Sequence, residues 1–562
     1  MKLPIFDSKI KTLFFYIFSI YFLIGIHFYA DTLGGYGLYL PHNIVGWIFI
    51  TLLISIGIFQ VISSKRIYFS PFFKYSFLGV VCLLLPIIFQ DNELLSWSSL
   101  RMFGLIGGML FYFSLLQFNF SKKEKCHLLY IILAGIFLES LLGICQYYFF
   151  STNNWMNYNT QENFPYGIFK QRNVMGVFMC TGCAISIYLI NNDDRYFSSE
   201  VKRALTLLMP FTASIILVGV KSKAAFLGYI LFFIFMAFKL DINKQYTRFW
   251  IFSSLIGLLF GLYSPDLFER KFSEKSLQHQ TGTISNRLNR FETTFKLWMQ
   301  KPILGNGYGS FTRKYREFHA YRFANEDDFN SRESFCDHPH NEILYWVVEG
   351  GIIAAIGLII FAGAYLVMIF RVNLKNGLCF LSLVTPILVM TQTGFPFYSS
   401  TVHWITFLFL IFFAEPVKID YLSVSKVTRQ ALVLPAVAIP LYTSIYMLSA
   451  LHTSNLITKF ERDGLKDYSL LTNVSNPNSW KLKYSNYSIK KLSEEFEQNQ
   501  NEKKLEELLT ECNTILEYVP LLHIFKTMER ALILAKKDDE AKSVRDYARY
   551  LYADWGEVWS GE

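Results

Sequence analysis

Thirteen apolar runs break up this 562-residue chain, and they leave it few folds. They cover 12–30, 44–63, 73–90, 101–118, 127–149, 173–191, 204–220, 223–239, 248–264, 343–370, 377–393, 403–415 and 432–450. A run of ~20 mainly apolar residues is long enough to cross a bilayer as a helix. Inside lipid each segment has to satisfy its own backbone polar groups, which selects helices over open strands. The twelfth run is short, and 204–239 also reads as one kinked element. Residues 265–342 and 451–562, by contrast, have the composition of ordinary polar protein. The chain is 52% hydrophobic and 17% charged, against about 25% charged in a typical soluble domain. These features predict an all-α polytopic membrane protein with about 12–13 transmembrane helices. Four parts follow in order: transmembrane helices over 1–264, a large loop over 265–342, further transmembrane helices over 343–450, and a soluble helical tail over 451–562. No small-residue cleavage site follows the first run, so it is expected to be retained.

Lysine and arginine gather on the side of a membrane where the chain is not translocated. With a cytoplasmic N-terminus, the inside segments carry nineteen of them: Lys2, Lys9, Lys11, Lys65, Arg66, Lys122, Lys123, Lys125, Arg195, Lys202, Arg203, Lys239, Lys244, Arg248, Arg371, Lys375, Lys418, Lys426 and Arg429. The short outside loops carry five: Arg101, Lys170, Arg172, Lys221 and Lys223. The alternation requires an odd number of spans and puts both the large loop and the tail outside. The net charge of +9 punctuates the spans rather than forming one basic face, so no nucleic-acid partner is expected. Cys180-x-x-Cys183 lacks the second pair that a zinc site needs. The outside lysines and arginines at membrane edges have two readings. One is snorkelling of single side chains to headgroups; the other is a shared anionic ligand such as phosphate.

Within the large loop, Leu288, Phe291, Phe295 and Trp298 recur at helical spacing. This predicts an interfacial amphipathic helix, N-capped by Ser285 or Asn286, with Arg287 in its first turn. The helix is expected to stop before Pro302, with Gly305, Gly307 and Gly309 forming a tight turn. No strand precedes these glycines, so they do not read as a nucleotide-binding loop. The loop closes on CDHPHNEILYWVVEGG, residues 336–351, where Asn341 and Glu342 start the next helix. His338 and His340 flank a proline at i, i+2, a spacing poorly suited to paired metal ligation from a helix. An imidazole at a membrane surface is suited to general-base work, because its charge changes near neutral pH.

Four stretches together resemble the O-antigen ligase and polymerase superfamily, and within it the bacterial PglL-type protein O-oligosaccharyltransferases. They are GIFKQRNVMG (167–176), NRLNRF with WMQKPILGNGYGSF (286–311), HPHNEILYWVVEGG (338–351) and QTGFPFYSSTVHW (392–404). The resemblance implies transfer of a preassembled oligosaccharide from undecaprenyl diphosphate to a Ser/Thr hydroxyl of a periplasmic protein such as a pilin. It implies a bacterial inner-membrane location and needs neither metal nor cofactor. Carried over by position, His340 becomes the catalytic base. Arg172, Arg287, Lys223 and Gln171 become donor-side residues. His338, Asn341, Tyr398 and His403 become supporting or acceptor-side residues. Two departures stand out. Lys221-Ser222-Lys223 replaces the family's Ser-Arg, and the acidic residue often found before Pro-Phe-Tyr is missing at Gly394-Phe395.

Segments 485–497, 502–517, 521–535 and 538–552 of the tail read as amphipathic helices like those of tetratricopeptide pairs, without a clean 34-residue period. The tail is then either an acceptor-binding module or a stabilising cap. A lipopolysaccharide O-antigen ligase or a polymerase shares the same donor chemistry. A transporter of an anionic solute would need ionisable residues within spans, and Glu139 and Glu349 are the two candidates. Cys336 and Cys512 both fall outside in this topology and could pair.

Overall fold

The computed structural model describes residues 9–89, 94–192, 199–267, 275–329, 331–333, 335–416 and 420–555, and the side chains among them outside 265–285. Lys2, Arg195 and Lys418 of the charge pattern, and the Ser285 side chain, lie outside what is described.

The protein is an all-α polytopic membrane protein, 78% helical. Eleven helices among the described residues are long and apolar enough to cross a membrane, from Lys9–His27 to Lys426–Arg462. Runs 223–239 and 403–415 form the shorter apolar helices Lys223–Ala237 and Thr401–Phe413, so each apolar run contains a helix. The reading of 204–239 as one element fails at Lys221. That residue adopts φ 48 and ends Glu200–Val220, and Ser222 caps the next helix by accepting from the Ala225 N–H. Caps of the same kind start Lys122–Tyr148, where Ser121 and Glu124 form a reciprocal box, and Leu374–Thr391, capped by Asn373. A two-stranded antiparallel ribbon pairs Arg66–Phe69 with Asp420–Ser423.

The chain divides into two compact units that interleave along the sequence. The first comprises 1–78, 103–276 and 359–451. Its core is aromatic and aliphatic, and Phe14, Phe15, Phe118 and Phe120 pack ring against ring. The helix Arg172–Asn192 is buried along almost its whole length, which fixes where Arg172 emerges. Several buried polar groups of this unit are paired. Ser70 and Tyr112 both donate to the Glu415 carboxylate, and the buried Lys125 ammonium donates to the carbonyls of Phe412 and Glu415 at 3.2 and 2.7 Å.

The second unit comprises 79–102, 277–358 and 452–562. The four tail helices form as expected, at Lys481–Asn499, Glu502–Tyr518, Leu522–Leu534 and Asp538–Leu551. Their core includes Phe496, Leu508, Ile515 and Ile524, and Trp97 lies flat on Tyr518 at 4.0 Å. Cys336 and Cys512 are free thiols buried in different clusters.

The amphipathic helix runs Lys275–Gln300. Its start ten residues before Ser285 corrects the expected N-cap, and Arg287 lies in its interior rather than its first turn. The apolar stripe begins only partway along the helix. The glycine turn forms after Gln300, with positive φ at Gly305, Gly307 and Gly309. It docks on the helix Glu342–Phe370, which is itself broken at Gly351 by φ 66 and ψ −160. The break brings Asn306 N–H to the Val348 carbonyl at 2.9 Å, Gly307 N–H to Glu349 O at 3.0 Å and Ile352 N–H to Pro302 O at 2.8 Å. A Cβ at Gly351 would stand 2.1 Å from the Ile303 carbonyl oxygen, in a backbone conformation that L-residues avoid. Gly351→Ala is therefore expected to destabilise the protein by about 3 kcal/mol. A fall in the thermal unfolding midpoint of the detergent-solubilised protein checks it; Ala at Gly363, where a Cβ meets nothing within 4 Å, serves as control.

Candidate functional site

The loop's chemistry begins with Glu349, which has no solvent exposure. One carboxylate oxygen accepts the backbone N–H groups of Gly309 and Phe311 at 3.0 and 3.1 Å; the other pairs with Arg101. The Arg101 guanidinium also lies over Tyr345 at 4.2 Å and Trp346 at 4.8 Å. A buried carboxylate survives only with a counter-charge and hydrogen bonds, and Glu349 has both. Arg101 was counted among the outside loop charges, but it sits inside the helix Leu95–Gln117 as the partner of Glu349. The other intramembrane carboxylate, Glu139, is equally committed. It pairs with His27 at 2.7 Å and accepts the Ile168 N–H at 2.6 Å. Both acids hold loops through backbone N–H groups.

The Glu349 clasp presents the segment that carries the histidines. Asn341 caps Glu342–Phe370 by accepting from the Leu344 N–H at 3.0 Å. His340 precedes it at φ 59, a left-handed conformation unusual outside glycine. The His340 N–H donates to His338 Nδ1 at 2.8 Å, so neutral His338 carries its proton on Nε2, 3.6 Å from the Glu342 carboxylate. The His338 ring is buried against Tyr345, with centroids 4.5 Å apart. It therefore holds the turn, and the half-buried His340 ring is the one presented. Burial, and then the charges of Arg290, His338 and Arg287, lower the His340 pKa from 6.5 to about 3. The imidazole is neutral, a proton acceptor, across ordinary pH.

The two arginines of NRLNRF separate cleanly. Arg290 makes a two-pronged contact with Glu333, at 2.8 to 3.1 Å. Arg287 makes no ion pair among the described residues, and burial together with the Arg290 charge pulls its pKa below the usual guanidinium range. A cation held half-buried without a carboxylate is electrostatically suited to an anionic ligand. Sequence reasoning missed Arg290 and Glu333 as a pair because 43 positions separate them.

In the first unit, Arg172 starts its helix with the guanidinium 4.3 Å over the Phe164 ring and Nη1 buried without a hydrogen-bond partner. Gln146 shapes the loop before it, accepting the Gly167 N–H at 2.7 Å and donating to the Gly167 carbonyl. Gln171 Nε2 reaches the Gly35 carbonyl at 3.3 Å. Lys221, rather than the exposed Lys223, feels Arg172: burial and then that charge lower the Lys221 pKa. His403 is wholly buried. It donates from Nε2 to the Val174 carbonyl at 3.1 Å, meets Ser400 through Nδ1 at 2.9 Å and packs on Phe169 and Phe178. The segment around it is tied to Asn43, which donates to Ser399 O and accepts the Thr401 N–H. His403 thus braces the start of Arg172's helix and has no surface for an acceptor. Tyr398 is half-exposed on the same segment.

These features define a multi-pass helical membrane protein with cations and a neutral imidazole at the ends of its spans. The O-antigen ligase family model matches residues 208–361, and the C-terminal model of virulence factor membrane-bound polymerases matches 378–560. The chain belongs to the O-antigen ligase and polymerase superfamily. No curated protein matches it.

The Arg101–Glu349 pair gives a direct test. Glu349→Gln leaves the arginine buried without its counter-charge and is expected to cost about 3–5 kcal/mol. Combining it with Arg101→Met should recover part of that loss, as measured by thermal unfolding of both proteins in detergent.

Proposed function

We propose that this chain is a PglL-type O-oligosaccharyltransferase, acting at the periplasmic face of a bacterial inner membrane. The substrates are an undecaprenyl-diphosphate-linked oligosaccharide and a Ser/Thr hydroxyl of a periplasmic protein such as a pilin. The observation that carries the reading is the half-buried His340 imidazole, its basicity lowered by burial and then by Arg290 and Arg287, the latter without an ion pair among the described residues. The acceptor oxygen attacks the anomeric carbon, its proton passes to His340, and the sugar–phosphate bond breaks. The electron pair leaves with undecaprenyl diphosphate, and the anomeric configuration inverts. Arg287, in the same unit as His340, stabilises the growing negative charge. A diphosphate beside Arg287 offsets the cationic field and raises the basicity of His340, so donor binding readies the base.

A second reading, a polymerase that extends the glycan, is supported by the match of 378–560 to the polymerase model. Mass spectrometry of periplasmic proteins from cells with and without the gene separates the two. Glycopeptides lost with the gene support the transferase, and a shortened surface glycan on unchanged proteins supports the polymerase. His340→Ala is expected to lower transfer by at least about 100-fold. Arg287→Lys, which keeps charge but loses the fork, should lower it about tenfold. Because the His340 pKa is depressed, the base loses its free form only as pH falls toward 3. The pH profile of kcat/KM should thus stay flat from about pH 8 to 5. An acid limb near 6.5 that disappears in His340→Ala contradicts this.

A further inference from the structure

The described residues of 331–333 and 335–341 lie in no helix or strand, so their buried backbone groups need other partners. At Glu333 those partners come from the C-terminal end of the tail. The Glu333 N–H donates to Asp554 Oδ2 at 2.9 Å. The Glu333 carbonyl accepts from Arg316 Nη1 and, at 3.3 Å, from Trp555 Nε1. Arg316 is only 5% exposed and pairs with Asp554, while its Nε donates to the Leu551 carbonyl at 2.7 Å. With its backbone held in this way, Glu333 turns its carboxylate onto Arg290. On the helix, Thr294 donates to the Arg290 carbonyl at 2.7 Å. Three residues beyond Glu333, Cys336 enters the cluster of Leu297, Phe311, Tyr315 and Val348, and its Sγ–H reaches the His338 carbonyl at 3.5 Å. Glu333 is thus held by the tail, and His340 is followed directly by the helix cap at Asn341.

We propose that Asp554 is a positioning residue for the site: through Glu333 it sets the placement of Arg290 and of the His338–His340 turn. The tail end then does more than cover the fold; it completes the scaffold that presents the imidazole. The inference rests on the assignment of His340 as the presented base, but its test needs no substrate.

The full-length protein in nanodiscs is treated with diethyl pyrocarbonate, and carbethoxylation of each histidine is followed by mass spectrometry. Asp554→Asn and Glu333→Gln should each raise the His340 rate by about threefold or more, as the turn opens locally. The double variant should add little beyond either alone, because both act through one linkage. Asp554→Glu should restore much of the wild-type rate. Exposed His452 and His523, in the same unit, should be unchanged. An unaltered His340 rate in Asp554→Asn overturns the proposal. So does an equal rise at His452 and His523, which would mean general loosening. If the protein proves to transfer no glycan, the proposed function fails while the coupling still reads out in the same experiment.

Discussion

The carboxylate of Glu349 holds together three stretches that are remote in sequence. It accepts two N–H groups from the glycine turn and pairs with Arg101, and the chain on either side is built to allow it. Gly351 breaks the helix so that its carbonyls face the turn, and Gly305 lets the turn come close enough to meet them. In a low-dielectric interior a lone carboxylate costs several kcal/mol. The same environment makes a satisfied one a strong local constraint. Moving Glu349 would release the turn, the aromatic stack on Arg101 and the start of the helix that carries Asn341.

The cations divide according to what holds them. Arg101, Arg290 and Arg316 are each committed to a carboxylate. Arg287 and Arg172 make no such ion pair among the described residues, and Lys221 is held where it feels the charge of Arg172. This division explains how one chain can bury many charges and still offer some to a ligand. Committed arginines shape the backbone. Uncommitted ones, partly desolvated, carry electrostatic free energy that an incoming anion can release. Burial first, and then the nearby charges of Arg290 and Arg287, hold the His340 basicity down.

Much of this was legible in the sequence, for identifiable reasons. The spans show because about twenty apolar residues in a row have one physical use in a chain like this. Asn341 reads as a cap because a short polar side chain ahead of an apolar run satisfies the first N–H groups. The start of the amphipathic helix did not read correctly, since Lys275–Asn286 carries no apolar stripe to announce a helix. Arg287 and Arg290 stand three residues apart in one motif, and only the distant Glu333 tells them apart. His403 looked available because a motif conveys residue type but not burial; both its ring nitrogens are spent inside the unit. The link from Asp554 to Glu333 joins positions 221 apart and has no local signature.

The central claim is that His340 accepts a proton while Arg287 holds a diphosphate, and these are separable steps. The most direct measurement is a pair of assays on purified protein in nanodiscs: binding of undecaprenyl diphosphate, and single-turnover transfer from its glycan-linked form. His340→Ala should bind undecaprenyl diphosphate as the wild type does and fail at transfer. Arg287→Ala should lose binding. Wild-type transfer by His340→Ala, or undiminished binding by Arg287→Ala, would contradict the account.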